Sequence, residues 1–262
     1  MLKLTTVTLC LVVALFAMLF QMRSALPTLL INMKAGWFIS RFSEQLRAPQ
    51  PGSLLGWLAR KGMAKHNAES AAKMIELLHP RQSSVIVEIG PGHGMSLQKL
   101  LKEYQPLRVH GIEISDAFRR DLEIKFAKEL STGILTIHKN DAKDLSFLAD
   151  SSVDYIYGLN VIYFLNPLSE YLAEFHRILK PGATLLFGAS ARAVNLDPKY
   201  FINTDWDACV DALAKAGFEH ATKGEPIPTN TDRLIPISAR KKESLEHLNK
   251  ESTESDGYHA VS

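Results

Sequence analysis

Short apolar runs bounded by glycine, proline or acidic residues alternate along the middle of the chain with segments whose apolar residues recur every three to four positions. Val85–Ile89, Arg108–Ile114, Gly133–His138, Val153–Leu159 and the run through Ala183–Phe187 have the length and β-branched character of strands buried on both faces. Between them, Ser96–Tyr104, Asp116–Leu130, Leu168–Leu179 and Trp206–Ala216 carry helical spacing, clearest in Phe118, Leu122, Phe126 and Leu130 and in Leu172, Phe175, Ile178 and Leu179. Leu54–Met63 and Ala64–Leu78 read as two helices ahead of the first strand, and Glu219–Lys223 and Leu234–Arg240 as two closing strands. Strands and helices that alternate along most of this stretch predict an α/β fold with a mostly parallel sheet covered on both faces.

Leu4–Met22 breaks this pattern. It has no charge and is apolar on every side, and as a helix it spans about 28 Å, close to a bilayer's hydrocarbon core. A cleaved signal peptide is disfavoured, because Arg23 stands where a small residue should precede cleavage after Ala25. The expectation is an uncleaved transmembrane anchor over residues 1–23. Lys3 is the single charge before it, whereas Arg23, Lys34, Arg41, Arg47, Arg60, Lys61 and Lys65 follow with only Glu44 against them, which places the carboxyl side in the cytosol. Residues 24–53 then form a basic juxtamembrane stretch, with Trp37 suited to the headgroup level, that ends in the linker Arg47–Ser53. Residues 54–241 form the folded domain, and the charged, small-residue stretch 242–262 a disordered tail.

Composition narrows the function less than pattern does. The 262 residues carry a formal net charge of +2, which makes no case for nucleic acid. The two cysteines, Cys10 and Cys209, build neither a disulfide framework nor a zinc site, and no metal-ligand cluster stands out.

The candidate chemistry begins where the first strand ends. Glu88 sits near its carboxyl end, and Gly90, Gly92 and Gly94 follow at alternate positions, with Pro91 between the first two, before a helix begins. Strand, glycine turn and helix bring backbone N–H groups up to a ligand. The spacing is not the dinucleotide Gly-x-Gly-x-x-Gly, since Met95 takes the place of its last glycine. The second strand closes on Glu113, about 20 residues after the turn, where a carboxylate receives the ribose hydroxyls of an adenosine and repels a phosphorylated ribose.

Acid-x-Gly-x-Gly-x-Gly resembles the first motif of the class I S-adenosylmethionine-dependent methyltransferases. Three further features add to the resemblance, which covers about Leu54–Lys241: Glu113-Ile114, Asp141-Ala142 after the third strand, and Leu179-Lys180-Pro181-Gly182 before the fifth. The chain looks closest to the methyltransferase type 11 group. The resemblance implies a Rossmann-like, seven-stranded sheet whose last hairpin is antiparallel. It implies S-adenosylmethionine held by Glu88, Gly90, Pro91, Gly92, Gly94, Glu113, Ile114, Asp141, Ala142 and Asn160, with Asp141 and the Ala142 N–H on the adenine and Tyr163 lining the acceptor side. Asp144 competes for the place of Asp141, and His66 and Asn67, in the helix before the first strand, are weaker candidates. The Gly224–Asp232 connection is placed to border a substrate. A nucleic-acid or protein methyltransferase is disfavoured, because the Asn/Asp-Pro-Pro-Tyr/Phe signature of amino-group methyltransferases is absent: Val161 and Ile162 follow Asn160. The expected activity is methyl transfer to a small, hydrophobic or lipid-like acceptor at a membrane. A catalytically silent, membrane-tethered scaffold that keeps the cofactor fold is left open. An NAD-dependent reductase is disfavoured by Met95 and by the Leu-Lys-Pro-Gly turn. No residue is assigned as a catalytic acid or base, and the oligomeric state is not read from the sequence.

Overall fold

The computed structural model describes residues 67–243 apart from 107, 197 and 200. The expected anchor, the basic juxtamembrane segment and linker, the helix Leu54–Met63, His66 and most of the expected tail lie outside the described residues. Among the described residues no helix is long and apolar enough to cross a membrane.

The strands are β1 (Val85–Ile89), β2 (Arg108–Ile112), β3 (Leu135–His138), β4 (Val153–Leu159), β5 (Leu179–Ser190), β6 (Phe218–Lys223), the two-residue β7 (Ile227–Pro228) and β8 (Arg233–Lys241). They form one sheet in the order β3-β2-β1-β4-β5-β8-β6, with β7 paired to β8. The pairings from β3 across to β5 are parallel, and β8 runs antiparallel to β5, β6 and β7. The Rossmann-like mixed sheet that the resemblance implies is therefore present, with β7 added beside the hairpin.

Alternation along β1 shows why the strands read as unbroken apolar runs. Val87 and Ile89 point into one core, with α5 (Leu168–Ile178) and α6 (Trp206–Lys215), through Leu172, Phe175 and Leu213. Ile86 points into the other, with α1 (residues 67–78), α2 (Met95–Glu103) and α3 (Asp116–Lys125), through Met74, Leu97, Leu100 and Leu122. Neither face meets water, so each strand position is selected for burial. The reversal between β1 and β4 opens a crevice at the carboxyl ends of the parallel strands, where α/β sheets take their ligands.

Three boundaries differ from the periodic pattern. The helix expected over Asp116–Leu130 breaks at Phe126 into α3 and the short α4 (Ala127–Ser131). The break seats Phe126 against Gly94, so tertiary packing overrides a spacing that continues through it. The second strand stops at Ile112, leaving Glu113 and Ile114 beyond its end. The Leu-Lys-Pro-Gly segment was expected to separate helix from strand, yet β5 begins at Leu179, paired with Val153, and the next register pair is Tyr155 with Thr184. Lys180–Ala183 bulges out between these pairs, turning at Gly182 with φ 74° and held by Lys180 Nζ on Asp154 Oδ1 at 2.8 Å.

Candidate cofactor and acceptor site

The loop from β1 to α2 has all three of its glycines in the left-handed region, with φ 64° at Gly90, 53° at Gly92 and 65° at Gly94. They differ in what surrounds them. A Cβ on Gly90 would stand 2.6 Å from Val161 Cγ1, and one on Gly94 would stand 2.5 Å from Phe126 and 2.6 Å from Leu122. Those two glycines let other parts of the protein approach. A Cβ on Gly92 would meet nothing nearer than the Gly90 carbonyl at 4.0 Å, so Gly92 faces open space. The loop is closed by Gly94 N–H on Pro91 O at 2.8 Å and tied to β2 by Gly90 N–H on Ile112 O at 2.9 Å. Lys125 of α3 donates to the carbonyls of His93 at 3.1 Å and Gly94 at 3.3 Å, turning them away from the open side.

Glu113 stands across the opening. Its Oε2 accepts the Gly92 N–H at 3.0 Å and its Oε1 accepts the Ser115 N–H at 2.9 Å. A carboxylate has about four acceptor positions, so both oxygens keep capacity for a pair of hydroxyls. Burial raises its pKa, while the two N–H bonds and Arg119 hold it down. Ile114 beside it is 56% exposed, unusual for so large an apolar side chain within reach of a crevice. After β3, Asp141 is exposed and Ala142 buried; Asp141 Oδ1 receives the Lys143 N–H at 3.4 Å. Asp144 is turned to a local task, its Oδ1 taking the Ser146 N–H at 3.2 Å.

Glu88 lies beneath the loop, at 1% exposure on the α2 side of the sheet. Ser96 Oγ donates to its Oε1, and the Tyr157 hydroxyl donates to its Oε2 at 2.7 Å. Desolvation pushes its pKa up to about 7, against the lowering effect of those two hydroxyls. Both oxygens are thus engaged inside the fold, joining the first turn of α2 to β4.

The β4 end supplies the facing wall. Asn160 takes φ 59°, its N–H bonds Gly188 O at 2.7 Å, and its Oδ1 accepts the Tyr163 hydroxyl at 2.6 Å. Its Nδ2 donates to Asn67 Oδ1 on α1 at 3.3 Å. Tyr163 is 3% exposed and packs against Phe164, Phe201 and Trp206 at ring distances of 5.1, 5.4 and 6.4 Å. Burial, helped by the Asp232 charge, raises its pKa far beyond the ordinary tyrosine range.

Of the expected residues, Gly90–Gly94 with Glu113 and Ile114 form one group at the carboxyl end of the sheet and Asn160 with Tyr163 another, whereas Glu88 is engaged inside the fold by Ser96 and Tyr157, and Asp141 makes local bonds in the turn after β3. Val161 links the two groups through its contact with the Gly90 position. Ser96, Tyr157, Lys125, Ser190 and Asp232 were not singled out in the sequence. Ser96 and Tyr157 carried a faint signal, as polar side chains at positions facing an otherwise apolar core. Among the described residues no group of three or more His, Cys, Asp or Glu is placed to hold a metal ion.

Similarity to known proteins agrees with this geometry. Residues 87–187 match the family model described as a methyltransferase domain. The ribosomal RNA small subunit methyltransferase A of Nitrosospira multiformis is 30% identical over 121 residues, which make up 44% of this chain and 44% of that protein. The chain thus spans less than half the length of that curated relative. The protein bound to the Haloferax volcanii Trm112 methyltransferase activator superposes with a TM-score of 0.60 at 20% identity, over 72% of this chain and 96% of the other. Phosphoethanolamine N-methyltransferase 2 of Haemonchus contortus, solved with S-adenosyl-L-methionine, superposes with a TM-score of 0.59 at 14% identity, over 77% and 60%. At these identities the solved structures speak for the fold.

Proposed function

We propose that the chain, whose residues 87–187 match a methyltransferase domain, transfers the methyl group of S-adenosylmethionine to a small, hydrophobic or lipid-like acceptor at a membrane, with the domain on the cytosolic side. The observation that carries the reading is the Gly92–Glu113 pair. It joins an open, left-handed glycine to a carboxylate that keeps acceptor capacity for two hydroxyls. S-adenosylmethionine, the cofactor of this domain, supplies a methyl on a sulfonium whose departure leaves a neutral thioether. In this reading Glu113 receives the ribose hydroxyls, Ile114 and Ala142 border the adenine, and Asp141 accepts from its amino group. Gly90–Gly94 form the floor under the methionyl end, and Lys125 and Glu88 hold that floor in place from behind. With the leaving group built into the cofactor, positioning supplies most of the rate. The carboxylate of Glu113 disfavours a phosphorylated ribose.

The membrane part of the proposal is supported by the uncharged Leu4–Met22 and the basic residues after it. A small acceptor is preferred over RNA because the net charge is only +2 and Val161-Ile162 replaces the proline-bearing signature after Asn160. Calorimetry with S-adenosylhomocysteine and NAD tests the cofactor assignment: binding of the first and not the second is expected, and the reverse would end it. Carbonate extraction and protease protection of the full chain in vesicles test the anchor, which should resist extraction and leave the carboxyl tail open to protease. Release by carbonate, or a shielded tail, would refute it.

A further inference from the structure

Beyond Tyr163 the acceptor side continues into residues that the cofactor side does not use. Ser190 ends β5 two residues past Gly188, whose carbonyl takes the Asn160 N–H at 2.7 Å, and Ser190 Oγ donates to Asp232 Oδ2. Arg192 Nε stands 3.6 Å from Asp232 Oδ1. Asp232 closes a tight turn in which Thr229 N–H bonds Asp232 O at 2.8 Å and Asp232 N–H bonds Thr229 Oγ1 at 3.1 Å. The backbone alone is used to form that turn on the Asp232 side, so the carboxylate is free to reach back over the sheet. Glu69 of α1 fastens the same turn by accepting the Asn230 N–H at 2.5 Å. Two polar groups, Asn67–Asn160–Tyr163 and Ser190–Asp232–Arg192, thus flank the carboxyl ends of β4 and β5.

We propose that Asp232, set by Ser190, is the anchor for the reacting end of the methyl acceptor, and that this end is a protic amine or hydroxyl on an apolar body. The proposal rests on the methyltransferase reading and goes beyond it by naming the acceptor's chemistry. Tyr163 does not fill the role, because its hydroxyl is buried and its proton is committed to Asn160. Asp232 keeps 16% side-chain exposure and presents acceptor-only oxygens, which favour a partner that brings a hydrogen and disfavour a carboxylate. Exposed apolar side chains are available nearby in the chain for such a body: Val194, two residues past Arg192, is 51% exposed, and Ile202, whose own N–H bonds Tyr163 O at 3.0 Å, is 46% exposed.

The test uses the full chain saturated with S-adenosylhomocysteine and titrated with 2-phenylethylamine, 2-phenylethanol and 3-phenylpropionate, which share an aromatic body and differ in the polar end. The amine or the alcohol is expected to bind, and the carboxylate to bind at least tenfold more weakly. Asp232→Asn keeps an oxygen for Ser190. It should weaken the preferred probe about tenfold and erase the discrimination against the carboxylate, with S-adenosylhomocysteine affinity unchanged within twofold. Asp232→Glu should restore the discrimination in part. A merely structural role would not alter which probe is preferred. Unchanged discrimination in Asp232→Asn, equal or tighter binding of the carboxylate to the natural chain, or binding of neither protic probe would each overturn the proposal. Failure of the natural chain to bind S-adenosylhomocysteine, read before any probe is added, would instead overturn the methyltransferase reading.

Discussion

The cofactor side and the acceptor side of the crevice are built in different ways. On the cofactor side the ties between working groups are shorter: Glu113 bonds the N–H of Ser115 two residues on and that of Gly92 21 residues back, and the glycines follow one another through Gly90–Gly94. In the proposed reading the groups offered to the ligand there are the open Gly92 position and one carboxylate. On the proposed acceptor side, apart from Tyr163–Asn160 and the Thr229–Asp232 turn, the ties join distant segments. Asn160 to Asn67, Ser190 to Asp232 and Asn230 to Glu69 span 93, 42 and 161 residues. A ligand common to many proteins is met by a local, repeatable device, while a ligand particular to one protein is met by side chains that the fold assembles. Substitutions on the two sides should therefore separate cofactor affinity from acceptor selectivity.

The largest effect is expected within the glycine loop. Gly94→Val places a branched side chain against Leu122 and Phe126 in a left-handed conformation, combining overpacking with backbone strain, and should cost about 3–5 kcal/mol of stability. Gly92→Ala meets open space and should cost only about 1–2 kcal/mol, from its φ alone, while blocking S-adenosylhomocysteine. Urea denaturation of the two variants compares them. Similar losses of stability would mean that Gly92 is as enclosed as Gly94.

Glu88 gives the next largest effect, as a pH dependence. Its folded pKa of about 7 lies above the ordinary 4.5, so the folded state holds a proton that the unfolded state releases between those values. The stability from this group is full below about pH 4.5, is lost as pH rises, and is gone above about pH 7, a change on the order of 3 kcal/mol. Glu88→Gln can still bond Ser96 and Tyr157 but cannot ionise. Its stability should therefore fall less than that of the natural chain between pH 5 and pH 8, as read by urea midpoints at intervals across that range. Parallel curves would show that Glu88 is not the group responsible.

These two regions also mark what the sequence makes legible. β1, the glycine turn and Glu113 are read from adjacent residues, because alternation, left-handed turns and a strand-end acid are local requirements. Gly224–Asp232 is recognisable as a polar connection expected to border a substrate, but nothing in it distinguishes Asp232 until Ser190 is brought opposite. The break at Phe126 is hidden for the same reason: apolar spacing continues through Leu130, and only Gly94, 32 residues earlier, explains why the chain turns there. Glu88 is legible as an acid before the glycines, whereas its engagement by Tyr157 depends on the pairing of β1 with β4.

On the cofactor side, Glu113→Ala removes an acceptor from the Gly92 and Ser115 N–H groups and from any hydroxyl presented to it. Loss of hydrogen bonds to a charged group predicts about 1–3 kcal/mol weaker S-adenosylhomocysteine binding, roughly tenfold to a hundredfold by calorimetry. The acceptor-side variant Asp232→Asn should leave that affinity alone. A fall of similar size in both would erase the division between the two sides.

The smallest effect is expected from Tyr163→Phe, and it tests the division from the other direction. The ring stays in its aromatic packing with Phe164, Phe201 and Trp206, so no cavity of consequence forms. Only the hydroxyl is lost, and with it the 2.6 Å bond to Asn160 Oδ1. One buried neutral hydrogen bond predicts a loss of about 1 kcal/mol in urea denaturation. Because burial keeps the hydroxyl protonated far beyond the ordinary tyrosine range, this difference should stay constant from pH 6 to pH 9. Cofactor affinity should not move, since Asn160 does not change its backbone bonds. If Tyr163→Phe instead weakens S-adenosylhomocysteine by tenfold, the hydroxyl belongs to the cofactor side, and the boundary between the two halves of the crevice must be redrawn beyond Asn160.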